Sequence, residues 1–227
     1  MSFQLAVRAV KLINRTIQAA KSMTKKQLEK FVRGNRRHNP MIDEETGLRA
    51  VAALGEIAAQ AGIDWALVGG FAMYLYGSPR FTKDVDIIAA QTLALPSVGG
   101  LKQGGQRYQI ETDGKSVPVD WITRNDDARD FFTAALADAI ELDGVPIITV
   151  EWLVILKHIA GRFKDQEDAV FLLRNKKLVN RKKIKENIIK VGGRAAWVGF
   201  SSGLYRWFDL ADGKITDGDE NDSYRNL

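Results

Sequence analysis

Cysteine is absent from the 227 residues, histidine occurs only twice, and no apolar run approaches membrane length. The first absence excludes disulfide staples, thiolate-bound zinc and thiol nucleophiles, and it suits a reducing compartment. His38 and His158 have no partner at a spacing used by imidazole metal sites or by nucleophile–histidine pairs, so both are expected to be incidental. The longest mostly apolar stretch, Trp65–Gly77, is 13 residues and is broken by Gly69 and Gly70, against about 20 for a spanning helix. Arg8, Lys11 and Arg15 fall among the apolar positions of the N-terminus and spoil the core of a secretory signal. Residues 1–40 hold one acid, Glu29, and several Ser and Thr, a composition shared with organellar transit peptides. A cytoplasmic location, with no membrane association, is the expectation.

What is present is a strong division of charge. The net of +5 divides into +9 over residues 1–40, −9 over 41–173, +8 over 174–194 and −4 over 209–227, with Arg206 between the last two. An acidic centre between basic arms suits a metal site that receives a polyanion, although basic ends also serve simply as solvated helix faces. An apolar fraction of 45% allows a buried core through the middle.

Periodicity predicts helices over 3–20 and 25–32, then a polar break at 34–40. An alanine-rich helix is expected over 44–61, stopped by Gly62. A short buried strand at 65–68 runs into Gly69-Gly70 and a short helix over 71–76. Strands are expected at 84–89, 107–112 and 117–122, with Asp113-Gly114-Lys115 as a turn. A helix at 126–139 precedes the Asp143-Gly144 hairpin turn and a strand over 145–150. From Glu151 a helix is expected to run into the 160s with Trp152, Leu156, Ile159 and Phe163 on one face. Further helices follow through Leu173 and over 181–190. Beyond Gly192-Gly193 the pattern decays, and 209–227 has the composition of a disordered tail. Of the five tryptophans, Trp65, Trp121 and Trp152 read as core; Trp197 and Trp207 have no assigned place. The resulting division is a basic helical extension (1–40), a catalytic domain (41–150), a helical C-terminal part (151–194) and a partly disordered tail (195–227).

The chemistry concentrates in Leu67-Val68-Gly69-Gly70 and in Arg80-Phe81-Thr82-Lys83-Asp84-Val85-Asp86-Ile87. On a strand Asp84 and Asp86 share a face, roughly 6.5–7 Å apart along the chain. Two carboxylates so placed repel each other unless exposed or bridged by cations. Hard oxygen ligands suit Mg2+ or Mn2+, and two such ions can serve one phosphoryl-type displacement. Asp120, an acid inside the apolar run Val117–Ile122, needs a reason to be there and is the candidate third ligand. Its competing explanation is a strand-end acid paired with Arg124; Asp113 reads as turn chemistry. Gly69-Gly70 at a strand-to-helix turn lets a phosphate approach backbone amides.

This ordered pattern resembles the nucleotidyltransferase superfamily that includes DNA polymerase beta: a Gly-Gly or Gly-Ser pair, Asp-x-Asp on the next strand, and a lone Asp on a later one. Here thirteen residues separate Gly70 from Asp84. Arg80–Asp86, together with Leu156-Lys157-His158-Ile159-Ala160-Gly161-Arg162-Phe163-Lys164-Asp165-Gln166-Glu167-Asp168, is similar to the branch of abortive-infection (AbiEii-like) toxins. The likeness covers about residues 45–173. One departure is Gly70, where many members carry a serine whose hydroxyl meets phosphate.

The resemblance implies an α/β (α+β) fold, with a short mixed sheet flanked by helices and a helical C-terminal part. It implies transfer of a nucleoside monophosphate from a nucleoside triphosphate to an acceptor hydroxyl, with two Mg2+ or Mn2+ ions held by Asp84, Asp86 and Asp120. Asp165 joins these three as a catalytic or lysine-orienting acid. Gly69, Gly70, Arg80, Lys83 and Lys157 are the candidate nucleotide-binding residues. On a continuous helix Lys157 would share a face with Gly161, Lys164 and Asp168, and a Lys164–Asp168 ion pair would be the alternative use of that face. A tRNA 3′ end or other RNA is the acceptor this branch implies, with an antitoxin as a possible partner. The alternatives are nucleotidylation of a protein, transfer to a small molecule such as an aminoglycoside, and a degenerate transferase that binds nucleotide or RNA or partners an antitoxin.

Overall fold

A computed structural model describes residues 41–112 and 114–217. The expected helices at 3–20 and 25–32, His38, the turn residue Asp113 and the last ten residues lie outside them. The first helix, α1 (Glu44–Ala61), starts where Asp43 accepts a hydrogen bond from the Thr46 amide at 2.9 Å, with Glu44 and Glu45 in its first turn. It ends at Gly62, whose φ of 64° is left-handed. Between those ends Ala50, Val51, Leu54 and Ala58 form the buried stripe that packs on the sheet.

Strand β1 (Trp65–Val68) passes without a gap into helix α2 (Gly69–Leu75). Then come β2 (Val85–Ala89), β3 (Gly99–Gly100), β4 (Gly105–Thr112) and β5 (Lys115–Ile122). Helix α3 (Arg129–Ala137) and the hairpin β6 (Ile140–Leu142) and β7 (Val145–Ile147) follow. The sheet has seven strands in the order β3-β4-β5-β2-β1-β7-β6. Strand β2 is antiparallel to β1 and parallel to β5, and β1 is parallel to β7. The fold is the expected α/β class with a mixed sheet, and its register does the positioning. Asp86 of β2 lies beside Val68 at the end of β1 and, on the other side, beside Asp120 of β5.

Helices α4 (Val150–Ala160), α5 (Phe163–Arg174) and α6 (Arg181–Ala211) close the chain. Two expectations need correction here. The helix from Glu151 does not continue through the 160s. Gly161 adopts φ 64° and ends α4, so Phe163 opens a new helix and is 60% exposed instead of sharing the Trp152–Leu156 face. The strand expected over 145–150 likewise stops at Ile147, and Val150 begins α4.

Nor is the tail assigned to 195–227 irregular over its described part. Helix α6 bends at Gly193 (φ 70°, ψ −172°) and resumes to Ala211, burying Ser201, Leu204, Trp207, Phe208 and Leu210. Phe200 and Trp207 enclose His158, at ring separations of 5.0 and 4.9 Å. Gly203 matters to this packing because a Cβ there would stand 2.4 Å from His158 Nε2. Burial lowers the His158 pKa, as expected of an imidazole used for packing. Trp121 and Trp152 are fully buried, and Trp207 joins them. Among the described residues, no helix is long and apolar enough to cross a membrane.

Candidate active site

The strand-to-helix turn fixes one wall of the site. Gly69 sits at φ 70°, a conformation costly for other residues, and a Cβ there would collide with the Asp86 carboxylate. The Gly70 amide donates to Asp86 Oδ2 at 3.3 Å. Glycine at 69 is thus required twice, by backbone conformation and by the close approach of an acid.

Gly70 has a different reason. A Cβ at that position would lie 2.7 Å from Thr82 Oγ1 and 3.1 Å from Thr82 Cβ. The threonine, itself buried, fills the space a serine side chain would need. Its hydroxyl lies 2.9 Å from the Asp84 carbonyl and 3.1 Å from Asp84 Oδ1, close enough to donate to either. A hydroxyl thus stands against the Gly69-Gly70 turn, delivered from the loop before β2.

Asp84 just precedes β2, and Asp86 lies within it. Asp86 and Asp120 are register partners on neighbouring parallel strands, so their side chains share one face of the sheet. The electrostatics report the crowding. Burial, then the charges of Asp84 and Asp120, push the Asp86 pKa from 3.8 to about 6, against partial relief from the Gly70 amide and Lys157.

Asp120 is held by a partner other than the one the sequence suggested. Arg107 stands opposite it across the β4–β5 pair and grips both carboxylate oxygens, Nε to Oδ1 at 2.5 Å and Nη2 to Oδ2 at 2.7 Å. Arg124 turns to Asp126 instead. Among the described residues, no three carboxylate or imidazole groups stand ready as a metal cage. The donor chemistry nevertheless fits a hard divalent cation, since Asp84, Asp86 and Asp120 are all oxygen donors and their crowding raises the Asp86 pKa.

A second polar group comes from the α4–α5 turn. Lys157 is buried and bonds Asp165 at 2.9 Å and Asp168 at 2.6 Å. Arg162 grips Asp165 at 2.5 and 3.2 Å, and Arg80 reaches Asp168 at 2.7 Å. Burial opposes ionisation of Asp165, but its bonds to Arg162 and Lys157 outweigh that and hold its pKa below the usual range. Asp165 thus bonds both Lys157 and Arg162, and no Lys164–Asp168 pair forms. Lys157 and Arg80, expected to contact nucleotide directly, are both engaged by Asp168; Lys83 is half-buried beside Asp84 in the chain.

Four residues of this site escaped the sequence reading as functional candidates: Thr82, Arg107, Arg162 and Lys164. Arg107 had a usable signal. Once β4 and β5 are taken as a hairpin closing at Thr112 and Lys115, counting outward brings Arg107 opposite Asp120.

Fold and site together define a class: a mixed α/β protein whose central strand presents acids against a glycine turn. No family model matches the chain, and no curated protein does. Solved structures resemble it. One is an antigenic nucleotidyltransferase-like protein from Paracoccidioides brasiliensis, at 16% identity and TM-score 0.46, spanning 78% of this chain and 97% of that one. Another is JHP933 from Helicobacter pylori, at 15% identity and TM-score 0.41, spanning 76% and 83%.

Proposed function

We propose that the chain is a metal-dependent nucleotidyltransferase, moving a nucleoside monophosphate from a nucleoside triphosphate to an acceptor hydroxyl. The observation that carries this reading is the register of β2. It seats Asp86 between the Gly69-Gly70 turn and Asp120, with Asp84 one step away on the loop side. Asp84 and Asp86 would hold Mg2+ or Mn2+, and Asp120 would join a second ion. Such ions supply charge neutralisation for a triphosphate and lower the pKa of an attacking hydroxyl.

The chain's own residues divide the remaining work. Without side chains, the Gly69-Gly70 turn lets Asp86 and Thr82 close on the start of α2, beside which a triphosphate would lie. Lys157, clamped by Asp165 and Asp168, holds the α4–α5 turn and places a fixed positive charge near Asp86. Lys164 is exposed on the same turn, and the neighbouring charges of Arg162 and Arg80 reach it. Lys157, Lys164, Arg162 and Arg80 are the natural neighbours of a triphosphate tail.

For the acceptor we favour RNA, a tRNA 3′ end in particular. Its support is the basic first arm of α6, where Lys182, Lys183, Lys185 and Lys190 are exposed, with Arg194 just past the bend. A toxin role with an antitoxin partner follows the same resemblance. One observation favours a second reading, a module that binds nucleotide without turning it over: Arg107 occupies both oxygens of Asp120.

The test is incubation of the protein with each of the four α-labelled triphosphates, Mg2+ and total RNA, beside an Asp84→Asn/Asp86→Asn variant. Label should pass to RNA with the wild type alone. Transfer by both proteins would overturn the proposal, and nucleotide binding without transfer would favour the second reading.

A further inference from the structure

We propose that Arg107 is a built-in counter-cation that competes with the second metal ion for Asp120, so that the resting protein takes up one divalent cation readily and a second only as the guanidinium withdraws. The inference rests on the metal-dependent reading above and concerns what controls loading of that same site.

Three observations carry it. The first is position. Arg107 and Asp120 face each other directly on antiparallel strands, so the contact is imposed by the register and is independent of any flexible loop. The second is geometry. Both carboxylate oxygens accept from a two-pronged guanidinium contact, which sets a full positive charge where a cation would bind. Positive charge on Arg107 also reaches Asp84 and Asp86, whose field helps hold it in place.

The third is an asymmetry of burial. The Asp120 side chain is 11% exposed and fixed within β5, whereas that of Arg107 is 44% exposed. The carboxylate cannot leave, but the guanidinium can swing into water and be solvated there while remaining charged. A divalent ion brings twice the charge to the same oxygens. The exchange therefore replaces one cation by a stronger one, and no buried acid is left bare. In the Arg124–Asp126 pair the asymmetry is reversed, with the carboxylate 44% and the guanidinium 18% exposed, and the same logic assigns it no role.

The test reads metal binding and needs no turnover. Full-length wild type, Arg107→Met, Arg107→Lys and Asp86→Asn proteins are titrated with Mn2+, and free ion is followed by electron paramagnetic resonance. Circular dichroism checks that each is folded, with the lysine variant as the milder change should the methionine variant fail to fold. In the wild type, one ion should bind first and a second about tenfold or more weaker, within the range by which partners of metal ligands shift affinity. Arg107→Met should tighten the second step to within about threefold of the first, and Arg107→Lys, a single-point donor, should fall between.

Superimposable wild-type and Arg107-variant isotherms would overturn the inference, as would weaker binding by the variants. If those isotherms coincide while Asp86→Asn abolishes binding, only the role of Arg107 fails. If Asp86→Asn binds Mn2+ as the wild type does, the metal-dependent reading fails with it.

Discussion

Asp86 shows how one residue can work against the stability of the fold that presents it. Its pKa is raised from 3.8 to about 6, because burial and two neighbouring carboxylates disfavour its charge. The unfolded chain would ionise it near 3.8, so between those two values the folded protein binds more protons than the unfolded one. Stability from this group is therefore highest below the unfolded value, falls as pH rises through the folded one, and stays low above it. Asp86→Asn removes the buried charge and keeps an oxygen for the Gly70 amide. In the absence of divalent cations it should stabilise the protein at pH 7.5 by about 1–3 kcal/mol, and by little at pH 4. Thermal melts of the two proteins at both pH values measure this. An unchanged or lower midpoint at pH 7.5 would mean that Asp86 is not under the strain its surroundings imply.

At the scale of elements, the α4–α5 turn is the device that brings helices to the sheet-borne acids. Gly161 ends α4, the chain reverses, and Lys157 meets residues eight and eleven positions later. Removing one partner of a buried ion pair costs about 3–5 kcal/mol. Lys157→Met should sit near the low end, since Arg162 and Arg80 still hold Asp165 and Asp168. Denaturant unfolding tests this, and a loss below about 1 kcal/mol with weakened nucleotide binding would return Lys157 to direct ligand contact. The reversal was hard to read beforehand because Leu156, Ile159 and Phe163 continue a helical spacing across it. Only a left-handed glycine and one extended residue, Arg162, separate the two helices. The second arm of α6 was hidden for a related reason: Gly192, Gly193, Gly199 and Gly203 depress helix propensity along a stretch whose large side chains still pack. By contrast, β2 and β5 were legible because apolar residues alternate with the acids, and α1 because its cap, alanines and final glycine agree.

Across the whole molecule, the sheet order converts separate sequence signals into one place. Gly69-Gly70 follows β1, Asp86 lies on β2 and Asp120 on β5, three strands side by side although β3 and β4 separate β2 from β5 in the chain. The sequence contained the acids and the glycines, yet not the pairing of Asp120 with Arg107, because that depends on hairpin register. Charge is arranged on the same scale, with the acids of β2 and β5 near the buried Lys157 of α4. The most direct measurement of the central claim is a crystal structure with Mn2+ and a non-hydrolysable nucleoside triphosphate, recorded at the manganese absorption edge. The account predicts anomalous density bounded by the Asp84 and Asp86 carboxylates, with phosphate against the Gly69-Gly70 turn. Manganese bound elsewhere, or a triphosphate seated away from that turn, would contradict it.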